Sequence, residues 1–137
     1  MHGFIANILA SIVKTKDRFL TALMHGAHKR RYSDRDALVG IIVDTKNTSY
    51  AAATLIRAPD LSTFHSDVLV DVIVKAGDVH GAAATLMGTP NLSDKNRNNL
   101  LNIIIKVGDK RYAKVVRACA PNLSADNRDA LEIIANG

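Results

Sequence analysis

Tryptophan is absent from this 137-residue chain, and phenylalanine and tyrosine supply only three residues each. A core built on rings is therefore excluded, although nearly half of the residues are apolar. Ala, Leu, Ile and Val must fill it, a set that interlocks well between helices and gives little support to a sheet sandwich. There is one cysteine, Cys119, so no intrachain disulfide can form. Set among apolar residues, it reads as a buried structural thiol and fits a reducing compartment. Three prolines and eight glycines exclude a fibrous or low-complexity chain. Long apolar runs are missing too. The longest, Phe4 to Val13, is broken by Asn7 and Ser11 and is too short to cross a bilayer. It also lacks the basic stretch and small-residue cleavage site of a secretory signal. The expectation is one soluble domain over 1–137, without a membrane partner, in the cytoplasm or in the nucleus or nucleoid.

Signatures of catalysis are equally scarce. The sequence holds no GxxxxGK phosphate loop, no Gly-x-Ser-x-Gly elbow and no His-Glu-x-x-His pair. His25 and His28 could share a helical face, but two ligands are too few for a structural zinc site. His65 and His80 have no partners at recognisable spacing, which predicts surface or N-terminal helix positions. No enzyme, cofactor or small-molecule substrate is expected.

What is present is self-similarity. Pro59, Pro90 and Pro121 recur at a spacing of 31, each followed by Leu and Ser: Leu61-Ser62, Leu92-Ser93 and Leu123-Ser124. Lys75-Ala76-Gly77-Asp78 returns as Lys106-Val107-Gly108-Asp109, and Ala51 to Leu55 returns as Ala82 to Leu86. Val43 to Asn47 answers Val13 to Asp17 at a spacing of 30, and Ile134 to Gly137 resembles one more, truncated copy.

Each unit reads as two helices. A serine at 33, 62, 93 or 124 is placed to cap the first, its hydroxyl accepting from free backbone N–H groups. Apolar residues at helical spacing follow, as in Leu69, Val72, Ile73 and Leu100, Ile103, Ile104. Gly77 and Gly108 end that helix because a C-cap favours the positive φ that glycine adopts cheaply. Asp78 and Asp109 then cap an Ala-rich second helix that stops before the next proline. A lone unit cannot bury both of its apolar faces. The predicted fold is all-α: about four tandem two-helix repeats of about 31 residues, the last truncated, stacked as a short right-handed α-solenoid.

Net charge is +5, with nine Lys/Arg against four Asp in residues 1–58 and nine against nine in 59–137. The turns between helices carry Lys14 and Lys16, then Lys46, Lys75 and Lys106. Stacked in register, they would form a cationic ladder that suits a phosphate backbone, where each neutralised phosphate releases a counterion. The alternative is that a lysine at a helix C-terminus offsets the macrodipole, for about 0.3–1 kcal/mol. Further along, Lys110, Lys114 and Arg117 share a helical face, with Arg111 beside them. Tyr112, next to that face, could stack on a base or fill the core. Lys29-Arg30-Arg31 with Arg35 forms a second cluster, either a phosphate anchor or a solvated linker.

A unit with Pro at its opening, Leu soon after and Gly closing the long helix resembles the repeats of the mitochondrial transcription termination factor family. The turn between its helices is similar to that of TAL effector repeats, in which Leu-Ser or Leu-Thr opens a helix that closes in a Gly-containing loop facing DNA. These resemblances span residues 33–137. They imply a DNA-binding solenoid in which Lys75 to Asp78 and Lys106 to Asp109 approach the nucleic acid and Lys110 sits near phosphate. Similar helix pairs also occur in HEAT and armadillo scaffolds, which bind proteins. Two functions follow as expectations. The first is a nucleic-acid-binding module, DNA for preference, acting through Lys14, Lys16, Lys46, Lys75, Lys106, Lys110, Arg111 and Lys114. The second is a scaffold or effector that binds a partner peptide or helix, or an acidic protein.

Overall fold

The computed structural model describes residues 32–58 and 60–137. Among them it is all-helical, with seven helices and no strand. Four are long: α1 (Tyr32–Thr45), α3 (Thr63–Ala76), α5 (Asp94–Val107) and α7 (Ala125–Asn136). Between them lie three short ones: α2 (Thr48–Arg57), α4 (Val79–Gly88) and α6 (Lys110–Cys119).

The boundaries come from side-chain chemistry. The hydroxyls of Ser62, Ser93 and Ser124 each accept from the backbone N–H three residues on, at 3.1 Å, and so open α3, α5 and α7. Each such cap contributes about 1 kcal/mol. Ser33 is instead the second residue of α1 (Tyr32–Thr45). Asn47, Asp78 and Asp109 cap the short helices by accepting from N–H groups of the first turn. Gly77 (φ 64°) and Gly108 (φ 71°) end α3 and α5 in the left-handed region.

Lys46 makes the same turn as Gly77 at φ 53°. After it, the N–H of Asn47 donates to Ile42 O, just as Asp78 N–H donates to Ile73 O. Lys46 thus lies 31 residues before Gly77, and the position 31 before Lys75 is Asp44. The cationic ladder read from the sequence is staggered here: Lys75 and Lys106 correspond, and Lys46 sits two residues further along its turn.

Each long helix packs on the next long one, each short helix on the next short one, and each short helix on the long helix that follows it. Leu38, Leu69, Leu100 and Leu131 form the core on the long helices, with Ile42, Ile73 and Ile104. Each such side chain stabilises the fold by roughly 1.5–3 kcal/mol. On the short helices, Ala51 to Ala53 and Ala82 to Ala84 are fully buried, which lets α2 and α4 approach closely. Gly88 extends that approach: a methyl group there would sit 2.9 Å from Ile56 Cγ1.

His65 takes one of the two positions expected of it, in the first turn of α3, and is buried there: from this third residue it reaches back to α1, where its Nε2 bonds the Asp36 carboxylate. Matching contacts join later helices: Asn96 donates to Asp67 at 2.8 Å and Asn127 to Asn98 at 3.0 Å. Cys119 is exposed rather than buried, since it ends α6 on a flank that no further short helix covers among the described residues.

Candidate interaction surface

The long helices bury one side against the core and leave another open. On α3 the residues at helical spacing on the open side are Val68, Asp71, Val72 and Lys75. Facing α1, they enclose a groove of about 290 Å³ that is completed by Val43, Lys46 and Ala76. A second groove of about 460 Å³ lies between α3 and α5, lined by Val74, Gly77, Asn99, Asn102, Ile103, Lys106 and Val107. Every residue of the second groove stands 31 positions after one of the first. The floors of both are aliphatic and their rims carry lysine.

Exposed apolar residues gather on the same side. Ile41, Val107 and Ile133 are each more than half exposed. Val107 lines the second groove, Ile41 lies 31 residues before Val72, and Ile133 lies 31 after Asn102. Phe64, 69% exposed, stands apart in the first turn of α3.

The electrostatics of the two grooves differ. In the first, Lys75 Nζ is 2.9 Å from Asp71 Oδ2, an exposed i,i+4 pair worth about 0.3–0.5 kcal/mol. In the second, Asn102 occupies the place that corresponds to Asp71, and Lys106 has no ion-pair partner among the described residues. The rim of the second groove therefore carries its unpaired cation beside two amides, whereas in the first groove Lys46, likewise without an ion-pair partner among the described residues, stands with the Lys75–Asp71 pair.

The other basic candidates lie elsewhere. Lys110, Arg111 and Lys114 project from α6 and are exposed. Arg111 is 3.6 Å from Asp109, and Arg117 is 3.3 Å from Glu132 of α7. Burial by itself would raise the Asp109 carboxyl, but the N–H groups of Arg111 and Tyr112 and the Arg111 guanidinium hold it below the ordinary 3.8. Burial, then the Asp109 charge, pushes the Tyr112 phenol above 10.0. Tyr112 is half-buried, with Oη 3.0 Å from His80 Nδ1, so it links α4 to α6. Lys14, Lys16, His25, His28 and Lys29 to Arg31 lie outside the described residues.

Residues 32–137 hold twelve Lys/Arg and twelve Asp/Glu, so the basic excess of the chain resides wholly in residues 1–31. Among the described residues no three His, Cys, Asp or Glu gather to hold a metal, and no helix is long and apolar enough to cross a membrane. Compared with known proteins, the chain matches no family model, no curated protein and no solved structure.

The aliphatic and amide residues of the grooves escaped the sequence reading, because valine and isoleucine at helical spacing count as core. Asn99 and Asn102 were the available signal: two amides three residues apart inside a Leu/Ile-rich helix.

Proposed function

We propose that the chain is a short α-solenoid of two-helix units of 31 residues, and that it acts as a protein-interaction module. A peptide segment of a partner protein lies across the long helices and sets its side chains into the grooves between them. Supporting the solenoid are the long helices that begin at 32, 63, 94 and 125 and the packing of long on long and short on short. The observation that carries the function is the seven-residue groove that recurs 31 positions later with an aliphatic floor. Exposed Ile41, Val107 and Ile133 on the same side extend it. Isolated apolar residues on a surface need no explanation, whereas a phased row of them beside grooves marks a binding face.

The nucleic-acid reading draws its charge from residues 1–31. The helices from 32 onward are electrically balanced, which gives little of the non-specific attraction on which phosphate tracking depends.

The test is selection of a displayed random peptide library on the full-length chain, with Val107→Glu as the groove variant and Phe64→Ser as the control. Selected peptides should bind Val107→Glu at least about tenfold more weakly, a loss of ~1.4 kcal/mol, and Phe64→Ser unchanged. Peptides indifferent to Val107→Glu overturn the reading. So does an absence of peptides combined with duplex DNA binding that weakens steeply as salt rises.

A further inference from the structure

We infer that the occupant of this face is a segment of a partner protein in polyproline-II conformation, with an aliphatic residue at every third position and a carboxylate placed to meet Lys106. The inference rests on the module reading above and adds the conformation and chemistry of the ligand.

The first argument is pitch. Neighbouring grooves are one helix spacing apart, which for packed helices is ~8–10 Å. A polyproline-II chain completes a turn in three residues at ~3.1 Å each, so residues i and i+3 face the same way about 9.3 Å apart. A β-strand turns i and i+3 to opposite faces, and its same-face repeat of two residues spans only ~6.6–6.8 Å. An α-helix returns a side chain to the same face after seven residues, about 10.5 Å, and satisfies its own backbone groups as it does so. The extended three-residue repeat matches the spacing more closely and leaves its backbone groups open to the groove walls.

A second argument comes from the backbone such a segment brings with it. Polyproline II has no internal hydrogen bonds, so its N–H and C=O groups need partners when it leaves water. The second groove supplies them. Asn99 and Asn102 stand on its wall, and each amide offers two donors and an acceptor. The corresponding positions of the first groove are Val68 and Asp71. Main-chain recognition is therefore concentrated between α3 and α5.

Charge complementarity adds the third. Lys75 is already paired with Asp71, whereas Lys106 has no such partner among the described residues. A ligand carboxylate at the second groove would satisfy it, contributing to selectivity more than to affinity. Beyond α5 the next exposed anchor is Ile133, on a stretch of α7 where Gly137 takes the place corresponding to Lys106. The acidic residue of the ligand thus belongs beside the second groove, since in the first the Asp71 carboxylate already stands among Lys46 and Lys75 and would oppose a second one. No aromatic residue lines either groove. The floor accordingly selects aliphatic side chains and offers no ring on which prolines could stack.

The experiment uses three labelled synthetic peptides of one composition, with leucines at i, i+3, i+6, at i, i+2, i+4, or at i, i+4, i+7, and one glutamate each. Binding to the full-length chain is read by fluorescence anisotropy. The period-three peptide should bind at least about tenfold tighter than either other. Lys106→Glu, checked for native helicity by circular dichroism, should weaken it, and replacing the peptide glutamate with lysine should restore binding to that variant. A tighter period-two or helical-spacing peptide overturns the inference while leaving the module reading intact. Failure of the period-three peptide to bind overturns it as well, whether or not library selection yields other ligands. Failure of both the designed peptides and the library selection removes the module reading too.

Discussion

The hairpins α4–α5 and α6–α7 begin their helices 31 residues apart and carry opposite side chains at their joint. Leu86 and Leu101 are buried between α4 and α5, and 31 residues later the same places hold Arg117 and Glu132, an ion pair at 3.3 Å. Ala83, fully buried with α6 beside it, corresponds to Lys114; Val79 corresponds to Lys110. The inner hairpin is covered by a following one. With no further short helix beside α6 among the described residues, polar side chains keep that face solvated, where a leucine pair would expose apolar surface. The basic face at Lys110, Lys114 and Arg117 thus has a reason rooted in solvation, independent of any polyanion.

The largest test of this contrast is truncation at the two joints. Leu101→Ala should cost about 2–5 kcal/mol, as expected for a large-to-small change in a packed core. Glu132→Ala should cost less than about 1 kcal/mol, as for an exposed ion pair. Urea unfolding followed by helical circular dichroism separates them, and equal losses would erase the distinction between inner and outer hairpins.

A smaller effect sharpens the comparison between turns. Gly108→Ala should destabilise by about 1–2 kcal/mol, because an L side chain is forced into the left-handed region. Lys46→Gly should change stability with the opposite sign, by up to about 1 kcal/mol, since Lys46 already holds that conformation at φ 53°. Melting temperatures moving in the same direction for both would break the correspondence of the two turns.

The smallest effect concerns acid. Asp109 titrates below 3.8 in the folded chain, so its contribution is present above the unfolded pKa and is lost as pH falls through the lowered folded value. Asp109→Asn should therefore flatten the decline in stability below about pH 4 and leave its shape at neutral pH unchanged. An acid limb identical to the parent's would show that the carboxylate adds nothing beyond what an amide cap gives.

Most of the helical segmentation was legible, because it rests on local chemistry: Ser62, Ser93 and Ser124 as caps, Gly77 and Gly108 as stops, Asp78 and Asp109 as second caps. What failed was nonlocal. Lys46 looked like one more rung of a basic ladder, since nothing in its type reveals a positive φ. His65 looked partnerless because its partner Asp36 is 29 residues away, on a different helix. Cys119 looked buried because the sequence does not announce that the flank of α6 is left uncovered among the described residues. The grooves were hidden for a related reason: periodicity separates apolar from polar, and it cannot tell a valine under another helix from one beside a gap.

The bonds His65 to Asp36, Asn96 to Asp67 and Asn127 to Asn98 all fasten one long helix to its predecessor near the N-terminal end. The grooves open toward the other end, around Lys46, Lys75 and Lys106. Directional bonds thus set the spacing of the long helices at one end, and at the other it is left to aliphatic side chains such as Val43, Val72 and Ile103, whose contacts have no preferred direction.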